Sequence, residues 1–582
     1  MNQINRENIS LFKLSKLIYQ QLSYKRKRQL ILVIFFMLLN SFSAVINLAI
    51  IIPFITIISN PEKIWNLKII SLISKTLNIQ NTESITFYIT ISFIFSILLS
   101  ALTRLITLFL SNRLSASVGS DLSYGGFSNI LKQSFEWHIY EKSSKIISSL
   151  TDSINKTVSY IRYNLELITS FLILLVFSIS LLIIEPYVFV FSLLIVTSLY
   201  LLIILFVRKK LDFYSRKIKK GNTKIVEVTQ DSIGSIVNIK IDNTYKNFLN
   251  LFKNNEIPLR IYTSDSNFIS QFPKYILEAF SLVLIISLAY ILSIKNNDSF
   301  VIQKIGIIAF AAQKMLPEFQ KIFASWAQLK TTKSSAIQII NILKINSNIY
   351  SNNKKIITYQ TKNKIDLRGI SYFYPDKTLV LRNLNFSIKV GEKIGIIGET
   401  GCGKSTFLNI FMGLLEPTKG KILIDGIDPY LEKNKDFIQR YQMSISYVPQ
   451  TFYISAGTII DNIAYGQKKE DYDFEKAMWA AEIAQMFNFL KQSANGLNMK
   501  VGERGINLSG GQKQRLLIAR ALYKEAKIII FDEATSALDE KTEAKLLEEL
   551  YKLNTTNIFV SHKLSTLNSC DRIVCLKKGI FI

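Results

Sequence analysis

Residues 393–415 read KIGIIGETGCGKSTFLNIFMGLL, and they decide the fold of the C-terminal part of the chain. A short apolar run, Ile394–Ile397, leads into a glycine-rich turn, and a helical pattern follows. Strand, loop and helix come in the order that a P-loop requires. Gly398, Gly401 and Gly403 let the backbone turn tightly and aim its N–H groups at phosphate oxygens. Lys404 supplies positive charge at the β- and γ-phosphates, and Ser405 has the hydroxyl suited to Mg2+. Thr406 can add a phosphate contact at the helix start, where unpaired backbone donors also favour an anion.

Two stretches downstream complete the pattern. In AKIIIFDEATSALD (526–539), Ile528–Phe531 form a short buried-strand pattern ending at Asp532. A carboxylate there can hold Mg2+ directly or through water. Glu533 follows at once and can orient and deprotonate an attacking water. The metal ligand must stay ionised while the base must face the γ-phosphate, so two carboxylates are needed. NLSGGQKQR (507–515) offers the Ser509 hydroxyl, Gly510 and Gly511, and a helix expected to begin around Gln512. That is a second phosphate-seeking helix terminus. One nucleotide in one domain has no obvious need of both grips. The economical geometry sets the two segments of one chain apart, each facing its counterpart on a second copy across a twofold axis.

Upstream the composition changes character. The 582 residues are 49% hydrophobic and only 19% charged, with a formal net charge of +27. Such an excess fits a nucleic-acid binder, or a membrane protein with its basic residues on the cytoplasmic side. The apolar runs decide for the membrane, so no nucleic-acid partner is expected. Leu30–Ile58, Ser84–Thr103, Leu167–Ile184, Pro186–Val207, about Phe272–Ile294 and about Phe300–Ala324 give six expected spans. The run from Leu30 is longer than the apolar core of a cleaved signal. Basic residues at Lys25–Arg28, Arg113, Arg208–Lys210 and Lys330 put both termini in the cytoplasm. Two connections on that side, about 112–161 and 208–271, read as helix through most of their length. Lys314 and Glu318, four apart in span six, are expected to pair and to line the translocation path. Arg104 is expected to snorkel to the interface. From 329 to 365 the composition shifts to Asn, Lys, Ser and Thr and reads as a linker between a membrane domain (1–328) and a soluble α/β domain (366–582). Cys402, Cys570 and Cys575 give no disulfide framework.

With these motifs in that order, the chain resembles the ATP-binding cassette (ABC) transporter superfamily, and within it an exporter half-transporter. The resemblance implies a six-span α-helical membrane domain of the exporter type (type IV), followed by an α/β P-loop NTPase domain, with ATP and Mg2+ as cofactors. It makes Gly398, Glu399, Thr400, Gly401, Cys402, Gly403, Lys404, Ser405 and Thr406 the Walker A loop. Asp532 becomes the Walker B aspartate and Glu533 the catalytic glutamate. Tyr374, in SYFYPDKT, sits where an aromatic stacks on adenine. Gln450, in SYVPQ, matches the Q-loop residue that contacts Mg2+ and the attacking water, and His562, in FVSHKLST, matches the switch histidine. Ser509, Gly510, Gly511 and Gln512 belong to the signature, Ser536–Asp539 to the D-loop and 502–505 to the exporter X-loop. Coupling helices are expected at Tyr140–Ile147 and Ile236–Phe248. Intact motifs favour a homodimer with two working sites, in a bacterial inner (cytoplasmic) membrane with the ABC domain on the cytoplasmic side.

The cargo reading is narrower. WNLKIISLISKTLN, in the first outer loop, puts Trp65, Ile69, Leu72 and Ile73 near one face of a possible interfacial helix, with Lys68 and Lys75 beside it. With the preceding NLAIIIPFITIISNPEKIW, it resembles PglK-type flippases of lipid-linked oligosaccharides. Membrane lipids and a lipid or amphipathic substrate are the partners this implies. The alternative is a multidrug or general lipid exporter of the MsbA-like kind.

Overall fold

The computed structural model describes residues 9–59, 82–184, 186–295, 300–345, 358–431, 436–451 and 453–582. The expected interfacial helix of the first outer loop, with Trp65, Lys68, Ile69, Leu72, Ile73 and Lys75, lies outside them. The chain divides into two compact units, residues Met1–Lys132 with Tyr140–Asn346, and Gln133–Ile139 with Ser347–Ile582.

The first unit is helical. A short helix α1 (Leu11–Gln20) precedes six long ones: α2 (Tyr24–Ser59), α3 (Thr82–Leu131), α4 (Ile154–Ile184), α5 (Pro186–Gly234), α6 (Tyr245–Lys295) and α7 (Phe300–Lys344). By length and composition, three helical stretches among the described residues can cross a membrane: Tyr24–Ile58, Glu83–Leu131 and Ser143–Ile183. Their mean hydropathy of 2.2 to 2.4 exceeds what a water-facing helix carries. Small polar side chains join them. Ser43 and Thr103 share a hydrogen bond of 3.0 Å, and Ser96 donates to Asn47 Oδ1 at 2.7 Å, so α2 and α3 meet through groups an apolar surrounding cannot satisfy. The helices continue far past the apolar runs. α3 extends to Leu131 and α5 to Gly234, which makes the two long connections continuations of spans. Short helices at Phe135–Tyr140, Ser143–Ser148 and Ile236–Ile241 turn the chain. The first overlaps the expected coupling segment by one residue only, and Gln133–Ile139 groups with the second unit.

Two expectations change here. Lys314 does not pair with Glu318: it is exposed and lies over the Phe310 ring at 5.6 Å. Glu318 is buried and instead accepts from Ser170 at 2.6 Å and Lys321 at 2.7 Å, with Arg104 at 3.6 Å. Helical spacing of four permits the first pair, but three-residue spacing and neighbouring helices supplied better partners. The tract read as a linker from 329 also begins inside α7. Ala336, Ile337, Ile339 and Ile340 are buried there, a helical face that the surrounding Lys, Ser and Thr conceal in the composition.

The second unit is α/β. Its main sheet has the order β11-β10-β3-β9-β8-β5: β11 (Ile580–Phe581), β10 (Arg572–Lys577), β3 (Lys393–Ile397), β9 (Thr556–Val560), β8 (Ile528–Asp532) and β5 (Ile445–Val448). From β10 to β5 every pairing is parallel. Strands β8 and β9 are buried at every position, as parallel strands covered on both faces must be. A second, antiparallel sheet of β2 (Leu379–Lys389), β1 (Lys364–Phe373) and β4 (Lys419–Ile424) packs its apolar face around Phe386, and a two-residue pairing joins β6 (Gly457–Thr458) to β7 (Lys500–Val501). Between the sheets runs α8 (Lys404–Phe411), which buries Phe407, Leu408, Ile410 and Phe411. Full burial of each Phe ring is worth about 2–3 kcal/mol, so this helix and the loop ahead of it are firmly seated.

Candidate functional site

The residues expected to carry catalysis gather at the C-terminal ends of β3, β8 and β9, the edge where a parallel sheet presents its loops. From β3 the chain enters the glycine loop. A Cβ on Gly398 would come within 2.4 Å of the Leu576 carbonyl oxygen on β10, so only glycine fits there. Gly401 and Gly403 take φ of +82° and +108°, conformations that favour glycine. Lys404 Nζ donates to the carbonyls of Gly398 at 2.5 Å and Glu399 at 3.0 Å, which folds the cation into the loop. Ser405 is exposed at the helix start, whereas Thr406 is buried with its hydroxyl 3.1 Å from that of Tyr374. Tyr374 is thereby fixed to the P-loop helix, edge-on to Tyr372.

Asp532 closes β8, buried to 7% exposure, and accepts from the Tyr447 hydroxyl at 3.0 Å. Burial pushes its carboxyl above the ordinary range, and the neighbouring charge of Glu533 adds to this; the Tyr447 bond and Lys404 oppose it. Glu533 stands at the turn, with φ of +51°, unusual for a residue with a Cβ. Its N–H donates to the Val560 carbonyl at 2.9 Å, which pins this backbone to β9. Its carboxylate is held from two sides: Gln450 Nε2 donates to Oε2 at 2.8 Å, and His562 Nε2 lies 3.1 Å from Oε1. Three of the residues expected to perform hydrolysis therefore meet at one carboxylate.

The signature segment is built differently. Ser509 caps α9 (Gly510–Tyr523), so the helix starts two residues before the expected Gln512. Ser509 Oγ accepts from the Gln512 N–H at 3.2 Å, and Gln512 Oε1 accepts from the Ser509 N–H at 2.8 Å. The glycines permit a close approach to the D-loop, because a Cβ on Gly511 would lie 3.1 Å from the Ala537 carbonyl oxygen. Among the described residues, no hydrogen bond or ion pair links 509–512 to 398–406.

Two contributors were absent from the sequence reading. Tyr447 had a signal, since it stands three residues before Gln450 on a strand that neighbours β8. Gln514 is buried, donates to Ser536 Oγ at 3.0 Å and accepts from the Ala537 N–H at 2.9 Å, which ties α9 to the D-loop. A glutamine inside a helical pattern carries no signal of that kind.

The fit to a nucleotide and its metal rests on this geometry. The loop leaves no room for a Cβ at Gly398 and takes positive φ at Gly401 and Gly403, and a helix terminus and Lys404 follow it directly. Ser405, Asp532 and Gln450 offer oxygen donors, the type that Mg2+ takes.

Comparison with known proteins agrees with this architecture. Residues 30–314 match the family model of the ABC transporter transmembrane region and residues 381–536 the ABC transporter family model. An uncharacterised ABC transporter ATP-binding protein of Bacillus subtilis is 30% identical over 494 residues, 83% of each chain. The ATP-dependent lipid A-core flippase of Alcanivorax borkumensis is 38% identical over 225 residues, 38% of this chain and 37% of that one. The chain spans less than half the length of several other curated relatives as well. An ATP-bound bacterial Atm1-family ABC exporter has the same fold, with a TM-score of 0.78 over 95% of this chain and 94% of that one, at 18% identity. The chain belongs to the ABC transporter family, with a transmembrane region and an ABC transporter nucleotide-binding segment in one polypeptide.

Proposed function

We propose that the protein hydrolyses ATP and uses it to move a lipid-linked oligosaccharide, or a related polysaccharide precursor, across the inner (cytoplasmic) membrane. It works as a homodimer, with six spans per chain and with both termini and the cassette on the cytoplasmic side. The observation that carries hydrolysis is the Glu533 carboxylate, held between Gln450 and His562 beside Asp532. The P-loop glycines and Lys404 grip the phosphates, and Glu533 accepts the proton of the attacking water. Gln450 orients the carboxylate, and His562 stands where it can hold the γ-phosphate. Ser405, Asp532 and Gln450 would hold Mg2+, which would supply positive charge beside the phosphate oxygens. Ser509 and the start of α9, which meet no P-loop residue of their own chain, complete the grip for the second copy.

Glu533→Gln keeps the shape and removes the base. ATP binding should persist while turnover falls by roughly 10²–10⁴-fold, the usual worth of general-base catalysis. Unchanged hydrolysis would remove Glu533 from that role.

The cargo reading is supported by charge near the inner ends of the spans. The Arg104 side chain, at the end of the second expected span, is 60% exposed and 3.6 Å from Glu318, which Lys321 also approaches at 2.7 Å, so this cation is only partly neutralised. An anionic lipid headgroup suits it. The similarity to an ATP-dependent lipid A-core flippase favours a second reading, a multidrug or general lipid exporter whose cargo is a lipid of that kind. Purified protein in liposomes decides: ATP-dependent flipping of a lipid-linked oligosaccharide, with a phospholipid and a dye alongside. Movement of the dye alone would overturn the oligosaccharide reading.

A further inference from the structure

We propose that α1 and the basic turn after it form a docking surface for anionic phospholipid headgroups of the bilayer. One face of α1 is fixed. Leu14 and Ile18 are buried against Tyr160 and Ile337, and the Tyr160 hydroxyl donates to the Leu11 carbonyl at 3.0 Å. Ser15 adds a bond of 3.1 Å to Asn164 on α4. Fixing this face determines which residues look the other way. Phe12, Lys16 and Tyr19, spaced four and three apart, share the opposite face, and Lys13 flanks it. Phe12 is 82% exposed, an unfavourable position for a phenyl ring in water and a suitable one at the boundary of headgroups and acyl chains.

Charge specifies the occupant. From Ile9 to Ser59 the chain contains no acidic residue. Arg26 is spent on Asp121, with bonds of 2.8 and 3.0 Å. Lys13, Lys16, Lys25, Lys27 and Arg28 have no carboxylate partner among the ion pairs of the described residues. Arg28 lies 4.5 Å over the Tyr24 ring and Lys27 lies 5.2 Å over that of Tyr19, so cation and aromatic are presented together. Position specifies it too. The apolar run of α2 begins at Leu30, and at about 1.5 Å per residue Lys25–Arg28 sit roughly 3–8 Å outside it, at headgroup level. Only residues 21–23 separate the end of α1 from α2, which keeps α1 near that level. A basic cluster beside a span, joined to an amphipathic helix, is the arrangement that anionic lipid recognises. This inference does not depend on the cargo or on ATP hydrolysis.

The test places a photoreactive benzoyl-phenylalanine at Phe12 of the full-length protein, in vesicles of equimolar phosphatidylglycerol and phosphatidylcholine. Irradiation should give lipid adducts enriched about fivefold or more in phosphatidylglycerol, the discrimination expected of one or two surface lysines. Lys13→Gln with Lys16→Gln should lower the ratio, with Lys25, Lys27 and Arg28 sustaining what remains, Lys13→Arg with Lys16→Arg should preserve it, and 0.5 M NaCl should weaken it. Adducts to protein, to a second copy or otherwise, would overturn the proposal, as would a ratio near one in the unaltered chain.

Discussion

Asp532 lies almost without solvent at the end of β8, with the Tyr447 hydroxyl as its donor. Its carboxyl is pushed upward by burial, so between the ordinary carboxylate value and its own the folded chain holds a proton that the unfolded chain has lost. The neutral form contributes stability at low pH, and that contribution disappears as pH rises through the folded value. A cation bound beside the carboxylate would favour its ionised form and offset the cost of burying it. Asp532→Asn keeps an acceptor for Tyr447 and removes the charge. Its unfolding midpoint at pH 7 without nucleotide should rise by about 2–4 °C for each ~1 kcal/mol recovered, while the added stabilisation by Mg2+ and ATP is lost. Scanning calorimetry with and without Mg2+ and ATP measures both; a variant less stable than the parent at pH 7 contradicts the account. At this scale the sequence was most legible. Lys404, Ser405, Asp532 and Glu533 could be assigned roles because their chemistry follows from residue type at a strand end or helix start. Gln514 could not, because its role comes from which neighbour the side chain meets, and for Tyr447 the sequence offered only its nearness to Gln450.

Elements carry the next level of specificity. Ser509 both caps α9 and presents a hydroxyl beside Gly510 and Gly511. Replacing the cap by Ala should lower stability by about 1 kcal/mol, whereas Ser509→Asn keeps the cap. If the hydroxyl also touches a partner's phosphate, both variants should slow ATP turnover while only Ser509→Ala lowers the unfolding midpoint. Equal turnover in Ser509→Asn and the parent would confine Ser509 to capping. In the membrane unit, Glu318 joins α7 to Ser170 on α4 and Arg104 on α3. Glu318→Ala leaves the buried Ser170 hydroxyl without its acceptor and the half-exposed Lys321 and Arg104 without their carboxylate, a loss of about 1–3 kcal/mol. Thermal unfolding in detergent should show a clear loss, and Glu318→Gln, which can still accept from Ser170, a smaller one. An unchanged midpoint in Glu318→Ala would show that these helices do not depend on it. The apolar runs announced these helices but not their ends, since α3, α5 and α7 continue as amphipathic or mixed helix beyond the hydropathy signal.

For the whole molecule, the separation of signature and P-loop leads to a composite-site prediction. Consider dimers with Lys404→Ala on one chain and Ser509→Arg on the other. If each site joins one chain's P-loop to the partner's signature, both defects fall in one site and the second stays intact. If each site lies within one chain, each carries a defect. Nucleotide trapped by vanadate should then be about half that of the unaltered dimer in the first case, and near zero in the second. Near-zero trapping would remove the second copy from the site.

The order of motifs and the apolar runs established, without coordinates, a membrane part followed by a P-loop cassette. They could do so because helix termini, tight glycine turns and bilayer-length runs are local requirements, written over ten to twenty consecutive residues. Tertiary structure decided which partners a charge receives. Glu318 took Lys321, Ser170 and Arg104 in place of Lys314, and Glu533 is held by Gln450 and His562 from segments about 83 and 29 residues away. Electrostatic and hydrogen-bond strength depends on distance in space, and chains of unrelated sequence separation meet at the ends of β3, β8 and β9 only after the sheet has formed.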